Sequence, residues 1–227
     1  MRIPEAKALG IFFLLCPHYL LYLQQLNEMT MTTRHPKTAM EIAREMTERF
    51  TPLSDEDLQL LADILERKEV KRGEIFIPDG IICREHIYVE KGLVRQYYYK
   101  NGHDVTEHFS SEGDVVMSIE SLYAGVTNHL LAEALEPCVL WYINYKKFND
   151  LTERSFGIAR YYRVFQEDDL IITQHKADAF RFESSRERYE RFVKEYPEAA
   201  KRAPLQHIAS YLLMTPETLS RIRAGAI

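Results

Sequence analysis

The sequence predicts an α+β chain: a body of short strands, then one long helix, then a C-terminal helix-turn-helix. Three observations predict it. Gly73, Gly80, Gly92, Gly102 and Gly113 recur at intervals of 7, 12, 10 and 11 residues, the spacing of turns between short strands in an all-β sandwich or barrel. From Phe156 to Phe182 the period of apolar residues changes to a 3-4 alternation, which belongs to a helix. Near the end, residues 205–223 read as two short one-faced helices around a tight turn.

In chain order, Met40–Phe50 and Ser54–Leu65 have helical patterns, the second with Ser54 as cap and Asp57 three residues on. The glycine-punctuated apolar runs Ile75–Ile77, His86–Val89, Leu93–Tyr99, Val105–Phe109, Val115–Met117, Leu130–Ala134 and Val139–Ile143 are the expected strands. The long helix spans about Glu153–Glu183 and carries a seam of Ile158, Tyr161, Phe165, Ile172, Ala179 and Phe182, interrupted by Asp168 and His175. A seam of this kind predicts a dimerisation helix.

In the last segment, Pro204 opens a helix whose apolar side is Ile208, Ala209 and Leu212. Thr215 offers a capping hydroxyl, Pro216 has the preset φ of a first helical residue, and Leu219 and Ile222 supply the buried side. Thr215, Glu217, Thr218, Ser220, Arg221 and Arg223 remain as candidate DNA contacts, because arginine pairs bidentately with guanine, glutamate accepts from cytosine and hydroxyls serve either.

Net charge is −5 overall, which alone does not point to DNA. Its distribution does: residues 185–227 hold eight arginines and lysines against five glutamates, a net of +3, leaving −8 on the rest. Cys16, Cys83 and Cys138 have no pairwise spacing suited to a zinc or iron–sulfur site, so no cofactor is expected and a reducing cytoplasm is the expected location.

A β-body bounded by helices, a long helix and a helix-turn-helix, with Phe109–Asp114 and Thr215–Ile222 as the specific stretches, resembles the Crp/Fnr family of bacterial transcription regulators from about Met40 to Arg223. The resemblance implies an N-terminal β-roll (a double-stranded, jelly-roll-like β-helix) at 40–152, a dimerisation helix at 153–184 and a DNA-binding helix-turn-helix at 185–227. It also implies a homodimer on a two-fold symmetric operator, no enzymatic activity, a small-molecule effector, and RNA polymerase as partner of an activator. Glu217 and Arg221 would read bases, with Thr218 and Ser220 assisting at the backbone.

Three departures bear on mechanism. Alignment from Gly113 marks Met117, Ser118, Ile119, Glu120, Asn128 and His129 as the effector pocket, yet cyclic-nucleotide-binding members carry a phosphate-binding arginine there and no Arg or Lys occurs between Lys100 and Lys146. Cyclic AMP is therefore not the expected effector, because its phosphate would be buried without a countercharge. In the helix-turn-helix, Pro216 replaces the family's usual first arginine of the recognition helix and Leu213 stands at the turn position where the family usually has glycine, at a cost of about 1 kcal/mol for a non-glycine residue at positive φ. The chain ends four residues after Arg223, leaving no room for the usual β-hairpin wing, as in short members of the Bacteroides group.

Two other readings stay open: a haem or gas sensor of the same architecture with His129 or His175 as axial ligand, and a cupin-type metalloenzyme drawing on His86, His103, His108 and His129 with Glu90 and Glu107. No two of those histidines stand one residue apart on a strand, which counts against the second. Residues 1–39 fall outside the resemblance. Ala8–Leu23 is uncharged but only sixteen residues long and broken by Pro17, short of a bilayer span. A start site placed upstream of the true one (Met29, Met31 or Met40), a docking helix and a membrane anchor are the alternatives, the first being expected and a membrane not being an expected partner.

Overall fold

The computed structural model describes residues 35–226. Cys16 and residues 1–34 of the N-terminal extension lie outside the described residues. Residues 39–227 form a compact unit. Its elements are α1 (Ala39–Glu48), α2 (Asp55–Ala62), β1 (Leu65–Val70), β2 (Ile75–Ile77), β3 (Glu85–Lys91), β4 (Val94–Lys100), β5 (His103–Ser110), β6 (Val115–Val116), α3 (Ile119–Ala124), β7 (Leu131–Ala134), β8 (Cys138–Asn144), α4 (Tyr145–Thr152), α5 (Phe156–Phe182), α6 (Ser185–Glu195), α7 (Pro197–Arg202), α8 (Leu205–Tyr211) and α9 (Pro216–Arg223).

The strands make two antiparallel four-stranded sheets, ordered β1-β8-β3-β6 and β2-β7-β4-β5. Between them lies a core of small and β-branched residues, among them Val70, Ile87, Val89, Val94, Val116, Ala132, Ala134 and Leu140. The opposite face of the first sheet is also apolar. Tyr88, Trp141 and Ile143 pack there against Ile42, Met46, Leu58, Leu61, Phe148, Leu151, Ile158 and Tyr161 from α1, α2, α4 and α5. That double burial explains why β3 reads as a continuous apolar run rather than an alternation. The Gly92 turn has φ +107°, and a Cβ there would collide with Cys138 Sγ, so the backbone approach of β3–β4 to β8 requires glycine.

The sequence pattern located β2 to β8, the long helix and the two last helices, with boundaries shifted by up to three residues. It misassigned one segment. The helix expected over Ser54–Leu65 is capped by the Ser54 hydroxyl accepting from the Asp57 amide, as expected, but ends at Ala62; Leu65 begins β1 and pairs with Ile143. β1 is an edge strand of sequence LERKEV with mostly exposed side chains. Charge on an edge strand prevents further pairing and at the same time erases the strand pattern.

The expected dimer seam needs correction as well. Ile158, Tyr161 and Ala179 are buried within the chain's own cores, and Phe165 stacks on Tyr162 and meets Phe50 edge-on. Only Ile172 and Phe182 of the six are exposed. A 3-4 alternation reports that a face is covered but not by what.

His86 is buried with only 4% exposure among the rings of Tyr145, Phe148 and Tyr162. Burial pushes its pKa down to about 4. The unfolded chain therefore takes up this proton first, so the histidine's contribution to stability is complete above about pH 6.5 and is lost as pH falls toward 4. Denaturant unfolding at pH 7, 6 and 5 is expected to show declining stability, and His86→Phe is expected to reduce that slope by up to about 1.4 kcal/mol per pH unit. Equal slopes for the two proteins would exclude His86 as a source.

Candidate functional site

The helix-turn-helix is built from its caps inward. α8 ends in a left-handed residue, Leu213, at φ +52°. The Leu213 amide donates to the Ser210 carbonyl and the Met214 amide to the Ala209 carbonyl, the paired bonds of a Schellman motif, in which glycine normally takes Leu213's place. The Thr215 hydroxyl then accepts from the Thr218 amide and Pro216 opens α9. Leu219 and Ile222 anchor α9 inside, while Glu217, Ser220 and Arg221 are exposed. Two expected contacts are engaged elsewhere. The Thr218 hydroxyl lies 3.2 Å from that of Thr215, and the Arg223 guanidinium sits over the Tyr189 ring and donates to the Ala200 carbonyl. Arg223 thus ties α9 to α6 and α7.

α8 packs on β5, the edge strand of its sheet. Ser210 accepts from the Thr106 amide and donates to the Asp104 carbonyl, so a side chain of the helix fills backbone groups that an edge strand leaves open. Beside it, Arg95 from β4 is 3% exposed and is bound by Asp104 at 2.7 Å and Glu133 at 3.0 Å. Its Nη1 lies 2.7 Å from His207 Nδ1. Burial and the guanidinium hold the His207 pKa below its usual value, so Nδ1 is free to accept. An apolar cluster of Leu93, Phe109, Phe192, Ile208, Tyr211 and Leu212 continues the contact, and Arg202 closes its far side by bridging Glu112 and Glu136.

A cavity of about 470 Å³ opens in the β-body beneath α5. All six residues expected from the Gly113 alignment line it: Met117, Ser118, Ile119, Glu120, Asn128 and His129. Asn128 is 2% exposed and spends its amide on the Pro78 and Leu130 carbonyls, which makes it a loop brace. His129 pairs with Asp79 at 2.9 Å. Sequence reasoning missed Gln96, Tyr98, His108 and Ser110 from β4 and β5 and Asp169 and Thr173 from α5, which complete the wall. Gln96 was findable as a polar residue within an apolar strand; Asp169 was not, because only the tertiary fold brings α5 over the cavity mouth. Among the described residues no arginine or lysine lines the cavity. Burial and the Lys176 ammonium push His108 down to about 3, so it is neutral at pH 7.

The histidines and carboxylates considered for a metal are not brought together: among the described residues no group of three or more His, Cys, Asp or Glu side chains could hold a metal ion. Among the same residues no helix is long and apolar enough to cross a membrane. His175 lies apart from His129, beside a second hollow of about 390 Å³ bordered by Arg49, His108, Asp168 and Tyr196.

Adjacent leucines give a check on the turn. Leu213 is exposed and strained whereas Leu212 is fully buried. Leu213→Gly is expected to leave thermal stability unchanged or higher, strain relief of about 1 kcal/mol meeting a similar entropic cost, while Leu212→Ala is expected to cost about 2–5 kcal/mol. Thermal denaturation of both variants measures this, and a large loss for Leu213→Gly would rule out the strained turn.

Residues 67–155 match the family model of the cyclic nucleotide-binding domain. Among solved structures, the chain is similar to FixK2 from Bradyrhizobium japonicum, with 19% identity, a TM-score of 0.62 and 71% of this chain covering 84% of that one. It is similar to CLP of Xanthomonas campestris, described as a c-di-GMP responsive global regulator, with 15% identity, a TM-score of 0.60 and coverage of 76% and 91%. A CooA mutant from Carboxydothermus hydrogenoformans gives 16% identity, a TM-score of 0.54 and coverage of 72% and 76%. No curated protein matches the chain. Residues 67–155 thus match the cyclic nucleotide-binding domain model, and the chain shares the fold of FixK2 and CLP.

Proposed function

We propose that this protein is a sequence-specific, homodimeric transcription regulator of the Crp/Fnr type, made of an effector-binding β-roll at 40–152, a dimerisation helix at 153–184 and a helix-turn-helix at 185–227. The observation that carries the reading is the solvent-facing side of α9. Leu219 and Ile222 fix the helix while Glu217, Ser220 and Arg221 stay exposed. Residues four apart share a helical face, so Glu217 and Arg221 point together into a major groove. Two such helices about 34 Å apart in a dimer meet successive turns of a two-fold symmetric operator.

The dimer rests on α5, though not on the seam expected from sequence. Residues 170–175 are exposed around the whole helix. Phe156, Leu170, Ile171 and Phe182 are 85%, 69%, 54% and 81% exposed, and at 100° per residue they fall within an arc of about 120°. Leu170 and Ile171, adjacent at mid-helix and exposed, are the apolar positions that a second α5 would bury. The effector is not a cyclic nucleotide in this reading, because the cavity wall offers the phosphate no cation.

Arg221→Ala is expected to weaken binding to an operator selected from random DNA by about 1–3 kcal/mol, with much less loss on a scrambled duplex. Arg223→Ala, which loosens the α9 anchorage instead, is expected to weaken both duplexes equally. Fluorescence anisotropy reads both; equal losses for Arg221→Ala would remove its base-reading role. For the dimer, sedimentation of the wild type at micromolar concentration is expected to give a dimer, and the Leu170→Glu, Ile171→Glu double variant a folded monomer. A monomeric wild type, or a dimeric variant, would remove the α5 interface.

A further inference from the structure

Charge and unfilled hydrogen bonds in the β-body cavity specify more than the absence of a phosphate site. Three carboxylates line it, Asp79, Glu120 and Asp169, with no lysine or arginine to balance them. Among the described residues only Asp79 of the three has a counter-group, His129. Lys176, the cation that acts on His108, is committed to the Glu107 carboxylate at 2.6 Å and to the Glu107 carbonyl. The cavity is thus net negative at pH 7.

Its buried polar groups point the same way. Ser118 is 5% exposed and precedes α3 without making the capping bond its position allows. Ser110 is likewise buried, and Gln96 spends its Nε2 on the Met117 carbonyl, leaving its side-chain oxygen. Among the described residues neither hydroxyl nor that oxygen has a hydrogen-bond partner, yet none of the three is sealed from the cavity. Being open to the cavity, all three can accept from an N–H donor of a ligand. Tyr98 and Tyr99 add aromatic rings to the same wall, and an aromatic face attracts a cation within about 6 Å.

We infer that the cavity takes a small organic cation, an amine-bearing molecule whose charge is met by Glu120 and Asp169 and whose N–H groups are accepted by Gln96, Ser110 and Ser118. Its volume of about 470 Å³ lies within the usual range of small-molecule sites. An anion there would be desolvated against like charge. Burial and the neighbouring Asp168 raise the Asp169 carboxyl, and a bound cation relieves both effects. Since Asp169 and Thr173 belong to α5, the ligand would join the β-body to the helix assigned to dimerisation; this inference rests on the regulator reading only for that consequence.

The test uses the full chain and matched probes of one carbon skeleton, benzylamine, benzoate and benzamide, with cyclic AMP as a phosphate-bearing anion. Titration by calorimetry and by amide chemical shifts is expected to show benzylamine binding at least about tenfold tighter than benzoate, benzamide or cyclic AMP, with shifts at Gln96 and Ser118. The Glu120→Gln, Asp169→Asn double variant, folded by circular dichroism, is expected to lose that preference. Benzoate or cyclic AMP binding as tightly as benzylamine, no benzylamine binding at millimolar concentration, or an unchanged preference in the double variant would each overturn the assignment. A protein that rejects benzylamine but binds its operator loses only the ligand class, whereas one that binds benzylamine but no DNA loses the regulator reading.

Discussion

Arg95 is the group on which the arrangement of the molecule depends. A guanidinium with 3% exposure is tolerable only if its charge is met, and Asp104 and Glu133 meet it from β5 and β7. His207 then completes the cluster from α8, so a charge needed inside the β-body is solvated partly by the helix-turn-helix. Removing one partner of such a buried set typically costs about 3–5 kcal/mol, because the remaining charge is left uncompensated. The docking of α8 is therefore conditional on His207 being neutral: its folded pKa is lowered, so its support is present above about pH 6.5 and is lost as the ring protonates beside Arg95.

The docked helix also solves an edge problem. β5 has no strand on its outer side, and its ladder is interrupted between Gln96 and Tyr97, where Glu107 is left without a register partner. Ser210 from α8 takes up the Thr106 amide and the Asp104 carbonyl, and Lys176 from α5 takes up the Glu107 carbonyl. The positions of two helices are thus written into the open hydrogen bonds of one strand. Phe109 on that strand meets Phe192 and Tyr211 at 5.9 Å and 5.7 Å between ring centres, which makes the same contact apolar at its centre and polar at its edges.

How far the sequence reveals this follows from the range of each signal. Turn glycines, the Thr215 cap and the strain at Leu213 depend on neighbours within a few residues, and they were legible. The pocket residues from Met117 to Glu120 were legible because they lie on one short segment after Gly113. Ser110 and Asp169 were not, since separate elements carry them and only the sheet order and the path of α5 bring them to one wall. β1 was misread because a charged edge strand has no alternation, and the dimer seam because Ile158 and Tyr161 obey a helical period while serving the chain's own core. In each case the missing information was the identity of the covering surface rather than the fact of burial.

α5 links these pieces. Within one helix, Asp169 and Thr173 border the cavity, Lys176 holds β5 at Glu107, and Phe180 meets Tyr211 of α8 edge-on at 6.4 Å. The span from Asp169 to Phe180 is about 16 Å at 1.5 Å per residue, and no proline interrupts it. A continuous helix transmits a shift or rotation along its axis, so a displacement of Asp169 at the cavity mouth also loads the Lys176 tether and the Phe180 contact. The exposed pair Leu170 and Ile171 lies between those points, on the segment of α5 that joins the cavity to the C-terminal helices. The cavity wall, the exposed Leu170–Ile171 pair and the contact with α8 thus share a single helix, and the β5 edge is where that helix and α8 hold neighbouring groups of the same backbone.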